Sequence, residues 1–579
     1  MVSEIAKKAS EKEIREELRI AAIKNALEFG RAREGALIGR LISKFPELKS
    51  RMKEISAMAK EAVDEINGMS AAEIKKASKK YEKLFEEEKR KKTEESAEAR
   101  LELKGVSGSF ATRFPPEPSG YMHIGHAKVA FMEQRFAQMY GGKLFLYFDD
   151  TNPEKEKQEF VDAMKRDLAW LGIGFGREYY ASDNIESLYG YARRLIESGS
   201  AYVCLCDAAK LKESRLRMIG CEHRKQDAPE NMHLWKEMLG RKFKENEAVL
   251  RLKAEIDSKN TAMRDPTLFR VKYSLHYRQG GRYAVWPTYS FNTPIVDSLN
   301  GVSDVIRSKE YEMTDELYYR ILDLLSMVKP RIHSVARLEI ANNMTSKRKL
   351  NELIKQGKIH GYDDPRLVTI TALRRRGILP EAIKRLALRF GMSKTESAVS
   401  INMLLAENRK LIDPAAKRLF FVEKPFMLTV SGIPERMRNI SMKLHPSTDL
   451  GYRKYKLNDR FFINTADALK LKEGTRVALK DAFSVRIEKL GDGKAEGTYM
   501  KENAEERIQW VNEGNYVECS IEVIGDLLKG EAFNDESIKV SKGYAESFAA
   551  NLDDGEVVQF ERVGFFKVDD KNAMLFISL

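Results

Sequence analysis

The segment from Ser109 to Phe148 most tightly limits how this chain can fold. Two apolar runs, SFATRF at 109–114 and KLFLYF at 143–148, have the length and composition of buried strands. Between them lies a turn rich in proline and glycine, followed by a stretch with helical character. Strand, turn, helix and strand in this order form a βαβ unit, whose two strands pair in parallel. The chain is therefore expected to contain an α/β domain with a parallel sheet.

The chain is long enough for several domains. Its 579 residues correspond to about three to five domains of ordinary size. A hydrophobic fraction of 43% supplies packed cores and excludes wholesale disorder. No apolar run is long enough to span a membrane, and the N-terminal sequence lacks the apolar stretch of a signal peptide. The four cysteines are too few for a disulfide framework, which favours the reducing cytoplasm.

The N-terminal region has the pattern of helices. Ile14, Leu18, Ala21 and Ala22 recur at helical spacing, and Gly30 stands where that helix would end. Docking of a partner and simple stabilisation of the chain are equally compatible with such a region.

A charge-dense run follows between about Lys75 and Glu95. Its composition fits a solvated helix, a linker or a basic arm that touches nucleic acid. The whole chain has 100 Lys and Arg against 87 Asp and Glu, a formal net charge of +13. This balance is compatible with a polyanionic partner but does not establish one.

A phosphate-facing motif occupies the turn between the first predicted strand and its helix. It reads RFPPEPSGYMHIGH and ends in two imidazoles, His123 and His126. At a helix N-terminus both rings can donate hydrogen bonds to a phosphate, and the free backbone N–H groups favour the same negative charge. Gly125 lets a nucleotide approach the backbone, and prolines such as Pro116 stiffen the entry.

A short basic loop at 343–349, NMTSKRK, supplies a second group for polyphosphate. Lys347 is a mobile positive charge suited to pyrophosphate. Basic loops are common, so this loop indicates a polyphosphate site only in combination with the histidine motif. The predicted catalytic residues are His123, His126 and Lys347.

The two motifs resemble the HIGH and KMSKS signatures of class I aminoacyl-tRNA synthetases. More narrowly, RFPPEPSGYMHIGHAK, FDDTNPEKE, MRDPTLFR, SKRKLNELI and GYDDPRLVTITALRRRG are similar to the glutamyl/glutaminyl subfamily, in its archaeal glutamyl type. The resemblance extends from about residue 106 to the C-terminus and includes DPAAKRLFFV at 413–422. Met344 and Thr345 stand where the KMSKS motif has Lys-Met, and the subfamily often ends this motif in Ser-Lys-Arg, as at 346–348.

The resemblance implies an ATP-dependent ligase that joins L-glutamate to the 3′ end of tRNA(Glu). Glutamate would attack the α-phosphate of Mg²⁺-bound ATP, and the ribose of tRNA would attack the resulting glutamyl-adenylate. The alternatives are a glutaminyl-tRNA synthetase and a non-catalytic tRNA-binding paralogue, and additional charging of tRNA(Gln) is left open. A cytoplasmic monomer without membrane contact is expected. The implied ATP-binding residues are Pro116, Glu117, Gly120, His123, Gly125, His126, Ser346 and Lys347.

Asp149 is predicted to bind the α-amino group of the substrate. It follows the KLFLYF strand, and a carboxylate at that end of a parallel strand is well placed for an ammonium group. The alternative is that Asp149 and Asp150 cap the next helix. In the resembled family, the positions of Asp149, Arg113 and Tyr289 line the amino-acid pocket.

Arg307 is predicted to select glutamate over glutamine. Arginine can hold a carboxylate with two parallel hydrogen bonds, whereas glutaminyl enzymes of the subfamily carry a small uncharged residue at this position. The alternative is a structural ion pair with Asp304 or Glu310.

A CxC…CxH pattern predicts a structural zinc site. Cys204, Cys206, Cys221 and His223 offer three thiolates and one imidazole, a set that suits tetrahedral Zn²⁺. Some bacterial glutamyl enzymes carry a similar knuckle with a longer spacer. The alternative is a group of reduced, unliganded cysteines, and Cys519 is expected to be an ordinary buried thiol.

A basic helical region and a strand-rich region complete the chain. Clustered arginines after position 345 favour contacts to tRNA phosphates, although a solvated helix face is the alternative. Beyond about 416, short alternating runs between Gly, Asp and Asn turns indicate small antiparallel barrels that can read anticodon bases. The predicted tRNA-binding residues are Lys349, Arg366, Arg374, Arg375 and Arg376.

The prediction is thus a multidomain chain with a Rossmann-like catalytic core. Its segments are a helical N-terminal domain (1–104), the first half of the catalytic domain (105–199), an acceptor-stem-binding insertion (200–285), the second half of the catalytic domain (286–344), a helical tRNA-contacting domain (345–415) and two anticodon-binding β-barrels (416–579).

Overall fold

The computed structural model describes residues 11–45, 48, 51–81, 84–85, 101–395, 397–491 and 493–579. The chain forms two compact units, Met1–Ala99 and Arg100–Leu579. Most of the charge-dense run predicted up to Glu95 lies outside the described residues. Within the described parts of the chain, no helix is long and apolar enough to cross a membrane.

The smaller unit consists of helices. Ile14, Leu18 and Ala22 are fully buried on one face of the first helix, as the spacing predicted. Gly30 follows that helix with a φ of +79°, a conformation that glycine adopts without strain. The helices are α1 (Glu11–Phe29), α2 (Glu34–Lys44), α3 (Met52–Asn67) and α4 (Ala71–Ser78).

The larger unit begins with alternating strands and helices. In chain order they are β1 (Ala111–Phe114), α5 (Ile124–Met139), β2 (Lys143–Phe148), α6 (Gln158–Trp170), β3 (Arg177–Tyr180), α7 (Ile185–Glu197), β4 (Ala201–Cys204), α8 (Ala208–Arg217), α9 (Ala228–Leu239), β5 (Val249–Leu252), β6 (Thr267–Val271), β7 (Val285–Pro287), α10 (Tyr289–Leu299), β8 (Asp304–Ser308), α11 (Asp315–Leu325), β9 (Arg331–Val335), β10 (Leu338–Ile340), α12 (Lys347–Lys355), α13 (Ile370–Arg376), α14 (Pro380–Arg389), β11 (Ser397–Val399) and α15 (Ile401–Ile412).

Two parallel sheets, of orders β3-β2-β1 and β8-β9, lie side by side with β1 next to β8. β1, β2 and β3 pair in parallel, and so do β8 and β9. The Ser303 N–H, just before β8, donates to the Ala111 carbonyl of β1 at 2.9 Å. The direction of winding therefore reverses between β1 and β8, and ligands bind at the carboxyl ends of strands at such a point. This arrangement confirms the predicted Rossmann-like core.

An antiparallel sheet interrupts the parallel one. Its strands follow the order β4-β5-β6-β7, and α7 and α9 pack against it. Trp235, Phe269 and Phe291 belong to one buried cluster that joins this sheet to the start of α10. The insertion therefore rests on the same helix that returns the chain to the parallel sheet.

The remainder of the larger unit is strand-rich. In chain order its elements are β12 (Lys417–Leu419), β13 (Phe421–Glu423), β14 (Pro425–Ser431), β15 (Asn439–Lys443), β16 (Tyr452–Lys456), β17 (Arg460–Asn464), α16 (Thr465–Ala468), β18 (Arg476–Leu479), β19 (Phe483–Gly491), β20 (Lys494–Met500), β21 (Arg507–Ile508), β22 (Trp510–Asn512), β23 (Tyr516–Ile524), β24 (Leu528–Lys529), β25 (Ala532–Phe533), β26 (Ile538–Glu546), β27 (Val557–Phe560), β28 (Gly564–Asp570) and β29 (Leu575–Ser578).

These strands form two barrel-like sheets. In the sequence, the strands of the inner sheet lie between the first two strands of the outer sheet and the rest of that sheet. The inner sheet has the order β21-β18-β19-β20-β14-β17-β22, whereas the outer sheet has the order β12-β27-β28-β29-β23-β26-β13. The chain leaves the outer sheet after β13, completes the inner sheet, and returns at β23. Two barrels were predicted, but a purely antiparallel pairing was wrong. β14 and β20 pair in parallel, and β23 and β29 also pair in parallel, because each sheet joins strands from distant parts of the chain.

The outer sheet packs against the helical module of 345–415. Asp569 accepts hydrogen bonds from Nε and Nη2 of Arg375 at 3.2 and 2.8 Å. Gly377 has a φ of +93°, and a Cβ there would lie 2.7 Å from Cδ2 of Leu579. The end of the outer sheet and the turn after α13 are therefore in close van der Waals contact.

Candidate active site

His123 and His126 cap the N-terminus of α5, the helix that follows β1 and the proline-rich turn. Nδ1 of His123 accepts the Gly125 N–H at 3.1 Å. The His123 N–H in turn donates to Nδ1 of His126 at 3.2 Å. Because Nδ1 of each ring accepts a backbone hydrogen, a neutral ring carries its own proton on Nε2. Each ring is therefore held as an Nε2–H donor at the place where the strand order reverses.

Both imidazoles are neutral at pH 7. Burial lowers the pKa of His126 to about 4, and the charge of Arg337 adds to the shift. Burial, His126 and Arg337 hold the pKa of His123 well below its usual range. The pair therefore offers hydrogen-bond donors without a formal charge.

The histidine motif is fixed in place by the segment that precedes α13. The Ile124 N–H donates to the Val368 carbonyl at 3.0 Å, and the Ile370 N–H donates to the Met122 carbonyl at 2.9 Å. Gly125, predicted to admit a nucleotide, lies in the first turn of α5. Its packing gives a further reason for glycine: a Cβ would lie 2.9 Å from Cε1 of the His123 ring and 3.2 Å from the Leu338 carbonyl oxygen.

Lys347 faces the same cavity as His123. The cavity has a volume of about 30 Å³, and Gly120, His123, Thr345 and Lys347 are among its lining residues. The Lys347 ammonium donates to the Ser119 carbonyl and lies 4.6 Å from the centroid of the Phe160 ring. The fold thus brings together two groups that lie far apart in the sequence.

Of the other residues predicted for ATP, Gly120 lines this cavity, whereas Pro116, Glu117 and Ser346 do not. Ser346 is exposed at the start of α12, and Glu117 is exposed on the turn after β1. Pro116 is buried, and its carbonyl accepts the Asp149 N–H at 3.2 Å. Through this bond the phosphate-facing turn is tied to the end of β2.

Asp149 is buried at the carboxyl end of β2 and does not cap a helix. Its Oδ1 accepts a hydrogen bond from Nδ2 of Asn292 at 2.9 Å. Burial raises the pKa of Asp149 to about 6, while the Asn292 hydrogen bond opposes the rise. The carboxylate is therefore ionised at pH 7, but burial destabilises its negative charge. A bound cation would offset that destabilisation.

Arg113 forms a buried ion pair behind the Asp149 site. Its Nε and Nη2 donate to the two carboxylate oxygens of Asp297 at 2.8 and 3.1 Å, and both side chains are fully buried. The Tyr318 hydroxyl donates to Asp297 at 3.0 Å. Nη1 of Arg113 is buried and has no hydrogen-bond partner within the described chain. Nη1 of Arg113 is thus available to donate a hydrogen bond to a bound ligand.

Arg307 pairs with Asp315, so neither of the two partners considered from the sequence is correct. Asp304 instead accepts hydrogen bonds from Arg331, and Glu310 pairs with Arg337. Nε of Arg307 is buried and lacks a partner among the residues that the structure describes.

Tyr289 lies near both Arg113 and Arg307. It is half-buried at the start of α10, and its ring lies 5.1 Å from that of Tyr311. Burial raises the pKa of Tyr289 to about 12, and Arg113 and Arg307 oppose the rise. The hydroxyl is therefore within electrostatic range of both arginines. The four residues predicted for the amino acid converge on one region.

A buried acidic cluster behind Asp149 was not found from the sequence. Nε2 of His276 lies 3.7 Å from Oδ2 of Asp150 and 3.5 Å from Oε2 of Glu156. Nδ1 of His276 accepts the backbone N–H groups of Arg278 and Gln279, so the proton of the ring is on Nε2, facing the two acids. The FDDTNPEKE run displays both acids, but nothing in it indicates a histidine from the distant β6–β7 loop.

The cysteine cluster is assembled as predicted. The ligand atoms of Cys204, Cys206, Cys221 and His223 all lie within 4.8 Å of one another. Sγ of Cys204 is 3.6 Å from Sγ of Cys221, and Sγ of Cys206 is 3.4 Å from Nδ1 of His223. Zinc–sulfur bonds of about 2.3 Å in a tetrahedron place two sulfurs slightly under 4 Å apart. The donor set and its spacing therefore fit a zinc ion.

Two of the five arginines and lysines predicted for tRNA have another role. Arg366 is 7% exposed and binds both oxygens of Asp364, while Nη1 donates to Ser537 of the outer barrel. Arg376 is 5% exposed and donates to the Ser578 carbonyl. Their prediction as phosphate contacts was wrong, because the sequence shows a charge but not the residues that cover it. Of the remaining three, Lys349 is exposed and Arg374 and Arg375 are half-buried, and Arg375 is already paired with Asp569 and Asp363.

Comparisons with known proteins agree with this geometry. A family model described as tRNA synthetases class I (E and Q), catalytic domain, matches residues 109–414. Two models described as the anti-codon binding domain of the same group match 416–504 and 507–569. The chain is 37% identical to a glutamate–tRNA ligase of Nitrosopumilus maritimus, over 98% of this chain and 99% of that one. It is 38% identical to a glutamate–tRNA ligase of Pyrococcus furiosus, over 95% and 96% of the two chains.

Proposed function

The chain belongs to the class I tRNA synthetases for glutamate and glutamine, and from this premise we propose how it joins glutamate to tRNA. It is a glutamate–tRNA ligase. The reaction we propose runs through glutamyl-adenylate, formed from Mg²⁺-bound ATP, and ends with glutamate on the terminal ribose of tRNA(Glu). The observation that supports it most strongly is the orientation of the His123 and His126 rings as paired Nε2–H donors.

In the first step His123 and His126 hold the phosphates of ATP. Neutral Nε2–H groups donate to phosphoryl oxygens, and more strongly as negative charge develops on them. Lys347 supplies the full positive charge, which neutralises the departing pyrophosphate. The cavity beside His123, at about 30 Å³, has room for about one water molecule. The cavity alone is therefore too small for the phosphates of ATP.

Glutamate is oriented by charges at both of its ends. Asp149 accepts the α-ammonium group, which pairs with the buried carboxylate. The side-chain carboxylate meets the free Nε of Arg307, with Tyr289 between the two sites. This geometry leaves the α-carboxylate free to attack the α-phosphate. No covalent enzyme intermediate is needed, because positioning and charge neutralisation supply the catalysis.

Discrimination against glutamine rests on Arg307. Asp315 already pairs with this guanidinium, and its buried Nε donor is left for the substrate. A carboxylate accepts this hydrogen bond as a charged group, whereas a neutral amide forms a weaker bond and its NH₂ group would face a donor. Glutamine is therefore disfavoured by the weaker hydrogen bond rather than by size.

The test is aminoacylation of purified tRNA(Glu) and tRNA(Gln), each with glutamate and with glutamine. We expect glutamate on tRNA(Glu), and we propose that tRNA(Gln) is also charged with glutamate. Charging with glutamine would overturn the role of Arg307, and charging of neither tRNA would overturn the proposed mechanism. Exchange of pyrophosphate into ATP, measured with and without tRNA, tests the adenylate step separately.

We also propose that Cys204, Cys206, Cys221 and His223 hold one structural zinc ion. Bound zinc would fix the loop that follows β4 to the short helical turn at Glu222–Lys225. Metal analysis of the purified protein should give one zinc per chain, and Cys204→Ser should lose it. Absence of zinc from the native protein would exclude the site.

The surfaces for tRNA follow from the domain order. The insertion at 200–285 is proposed to bind the acceptor stem, and the two barrel-like sheets are proposed to read the anticodon. Lys349, Arg374 and Arg375 are the predicted phosphate contacts that remain. A monomer that acts in the cytoplasm completes the proposal, and gel filtration tests its oligomeric state.

A further inference from the structure

A second cavity lies in the insertion and shares no lining residue with the cavity at the histidine motif. Its volume is about 320 Å³, within the usual range for small-ligand sites. One face of α8 forms a wall, and residues of β5, β6 and the loop between them form the other. The lining includes Leu211, Lys212, Arg215, Leu216, Arg251 and Arg264.

The four cations of this lining have no counter-ion. Across the described part of the chain, neither Lys212 nor any of the three arginines forms an ion pair with a carboxylate. Most of the guanidinium hydrogen bonds go to backbone carbonyls: Nη2 of Arg215 to Thr261 at 2.9 Å and Nη1 of Arg264 to Arg215 at 3.1 Å. Nη1 of Arg251 instead lies 4.0 Å from Sγ of Cys221. These bonds hold the planes of the guanidinium groups without neutralising them.

Arg251 is the most deeply placed of the four. It is 1% exposed, and its Nε donates to the Asp265 carbonyl at 2.8 Å. Its Nη2 is buried without a hydrogen-bond partner in the described structure. A buried guanidinium donor left unsatisfied beside a cavity is costly unless a ligand accepts its hydrogen bond.

The nearest carboxylate does not balance these charges. Asp265 accepts hydrogen bonds from Nε of Arg224, the Tyr202 hydroxyl and the Ala254 N–H, all at 2.9 Å. Its oxygens thus already accept three hydrogen bonds from other groups. Burial lowers the pKa of Arg215, repulsion from Arg251 and Arg264 lowers it further, and Asp265 opposes the shift. One carboxylate faces four cations, so the lining has an excess of positive charge that an external anion can balance.

We propose that this cavity binds a phosphate group through Lys212, Arg215, Arg251 and Arg264. A phosphate monoester presents three terminal oxygens and up to two charges, which match a group of four cations better than a carboxylate does. Leu211 and Leu216 add an apolar surface for the organic part of the ligand. The phosphate belongs either to a free phosphate monoester or to the RNA backbone, since both present a tetrahedral phosphoryl group with charged oxygens; the backbone diester has two such oxygens and one charge.

The test uses isothermal titration calorimetry on the full, zinc-loaded chain with phenyl phosphate. Benzoate is the comparison, because it has the same ring but one charge and two oxygens. We expect saturation by phenyl phosphate below about 1 mM and at least tenfold weaker binding of benzoate. Arg215→Gln should weaken phenyl phosphate about tenfold or more. The matched control is Arg217→Gln on the same helix, since Arg217 is 65% exposed and pairs with Glu213; its affinity should stay within about twofold.

A second arm separates the two sources of phosphate. If tRNA displaces phenyl phosphate, and Arg215→Gln weakens tRNA binding while Arg217→Gln does not, the ligand is an RNA phosphate. If tRNA leaves phenyl phosphate bound, the ligand is a free ester. The site is refuted if phenyl phosphate does not saturate in the wild type, or if Arg215→Gln binds it unchanged. Lys212→Gln, at an exposed position, repeats the test without a risk to folding. These are binding measurements, so their failure is distinct from a failure of glutamate transfer.

Discussion

His123 donates its backbone N–H to Nδ1 of His126, and its own Nδ1 accepts the Gly125 N–H. One short stretch of backbone therefore sets the tautomer of both rings. Neither imidazole can turn its Nδ1 toward a ligand unless it gives up a hydrogen bond at the start of α5. The two Nε2–H donors are thus oriented before any ligand binds.

Removal of one of these donors should slow the chemistry more than it weakens binding. We expect His126→Ala to lower the rate of pyrophosphate exchange about 100-fold or more, since a donor aimed at developing charge acts mainly in the transition state. The KM for ATP should change by only a few-fold. His233→Ala is the control, because the His233 side chain is 74% exposed on α9. An equal loss in both variants would contradict the proposed role.

Gly125→Ala should damage the site by steric conflict alone. The added Cβ would lie 2.9 Å from the His123 ring and close to the Leu338 carbonyl, and overpacking of this kind costs about 1–3 kcal/mol. We expect a lower melting temperature and a large loss of exchange activity. In the control, Gly190→Ala on α7, no atom lies within 4 Å of the new Cβ. There alanine should stabilise the helix by about 0.5–1 kcal/mol.

Arg307→Cys should remove the preference for glutamate. We expect kcat/KM for glutamate to fall about 100-fold, because a charge-assisted contact with the side-chain carboxylate is lost. Asp315→Asn removes the ion pair but keeps the guanidinium, so that variant should retain the preference. If both variants lose glutamate activation equally, Arg307 has only a structural role.

The affinity for glutamate should fall in acid. Burial raises the pKa of Asp149 to about 6, so the carboxylate is protonated at lower pH and cannot pair with the ammonium group. The kcat/KM for glutamate should therefore decrease about tenfold per pH unit below pH 6. The pKa of His126 is lowered to about 4 by burial, so this histidine does not titrate in the same window. A profile that is flat between pH 5 and 7 would contradict the assignment.

The buried acids should make the folded chain less stable at high pH. Burial, followed by repulsion from Asp150, raises the pKa of Glu156 to about 10. A carboxyl group with a raised folded pKa contributes stability in acid, and that contribution is lost as the pH rises toward the folded value. We expect the melting temperature to fall between pH 5 and 8, and to fall a few degrees less in Glu156→Gln. Glu213→Gln, exposed on α8, is the control and should match the wild type.

The elements that could be predicted depend on neighbours in the sequence. The βαβ unit, the histidine pair and the cysteine cluster are local patterns, and the structure contains each of them. A charged residue can also be recognised from the sequence, but the residues that pair with it or cover it cannot. Arg366 and Arg376 looked like surface cations, yet the outer barrel covers both of them.

The relationships that the sequence did not reveal are long-range. His276 meets Asp150 and Glu156 only because the β6–β7 loop folds back on the end of β2. The parallel pair of β12 and β27 likewise joins strands that have the whole inner sheet between them in the sequence. Such contacts depend on tertiary packing, which residue spacing alone does not encode.

The nesting of the two barrel-like sheets governs the order in which they can form during synthesis. β12 and β13 leave the ribosome first, but their partners β27 and β26 are among the last strands to be made. The inner sheet, by contrast, is complete once β22 has emerged. The inner barrel can therefore fold while translation continues, whereas two early strands of the outer barrel stay without partners until the chain is nearly finished.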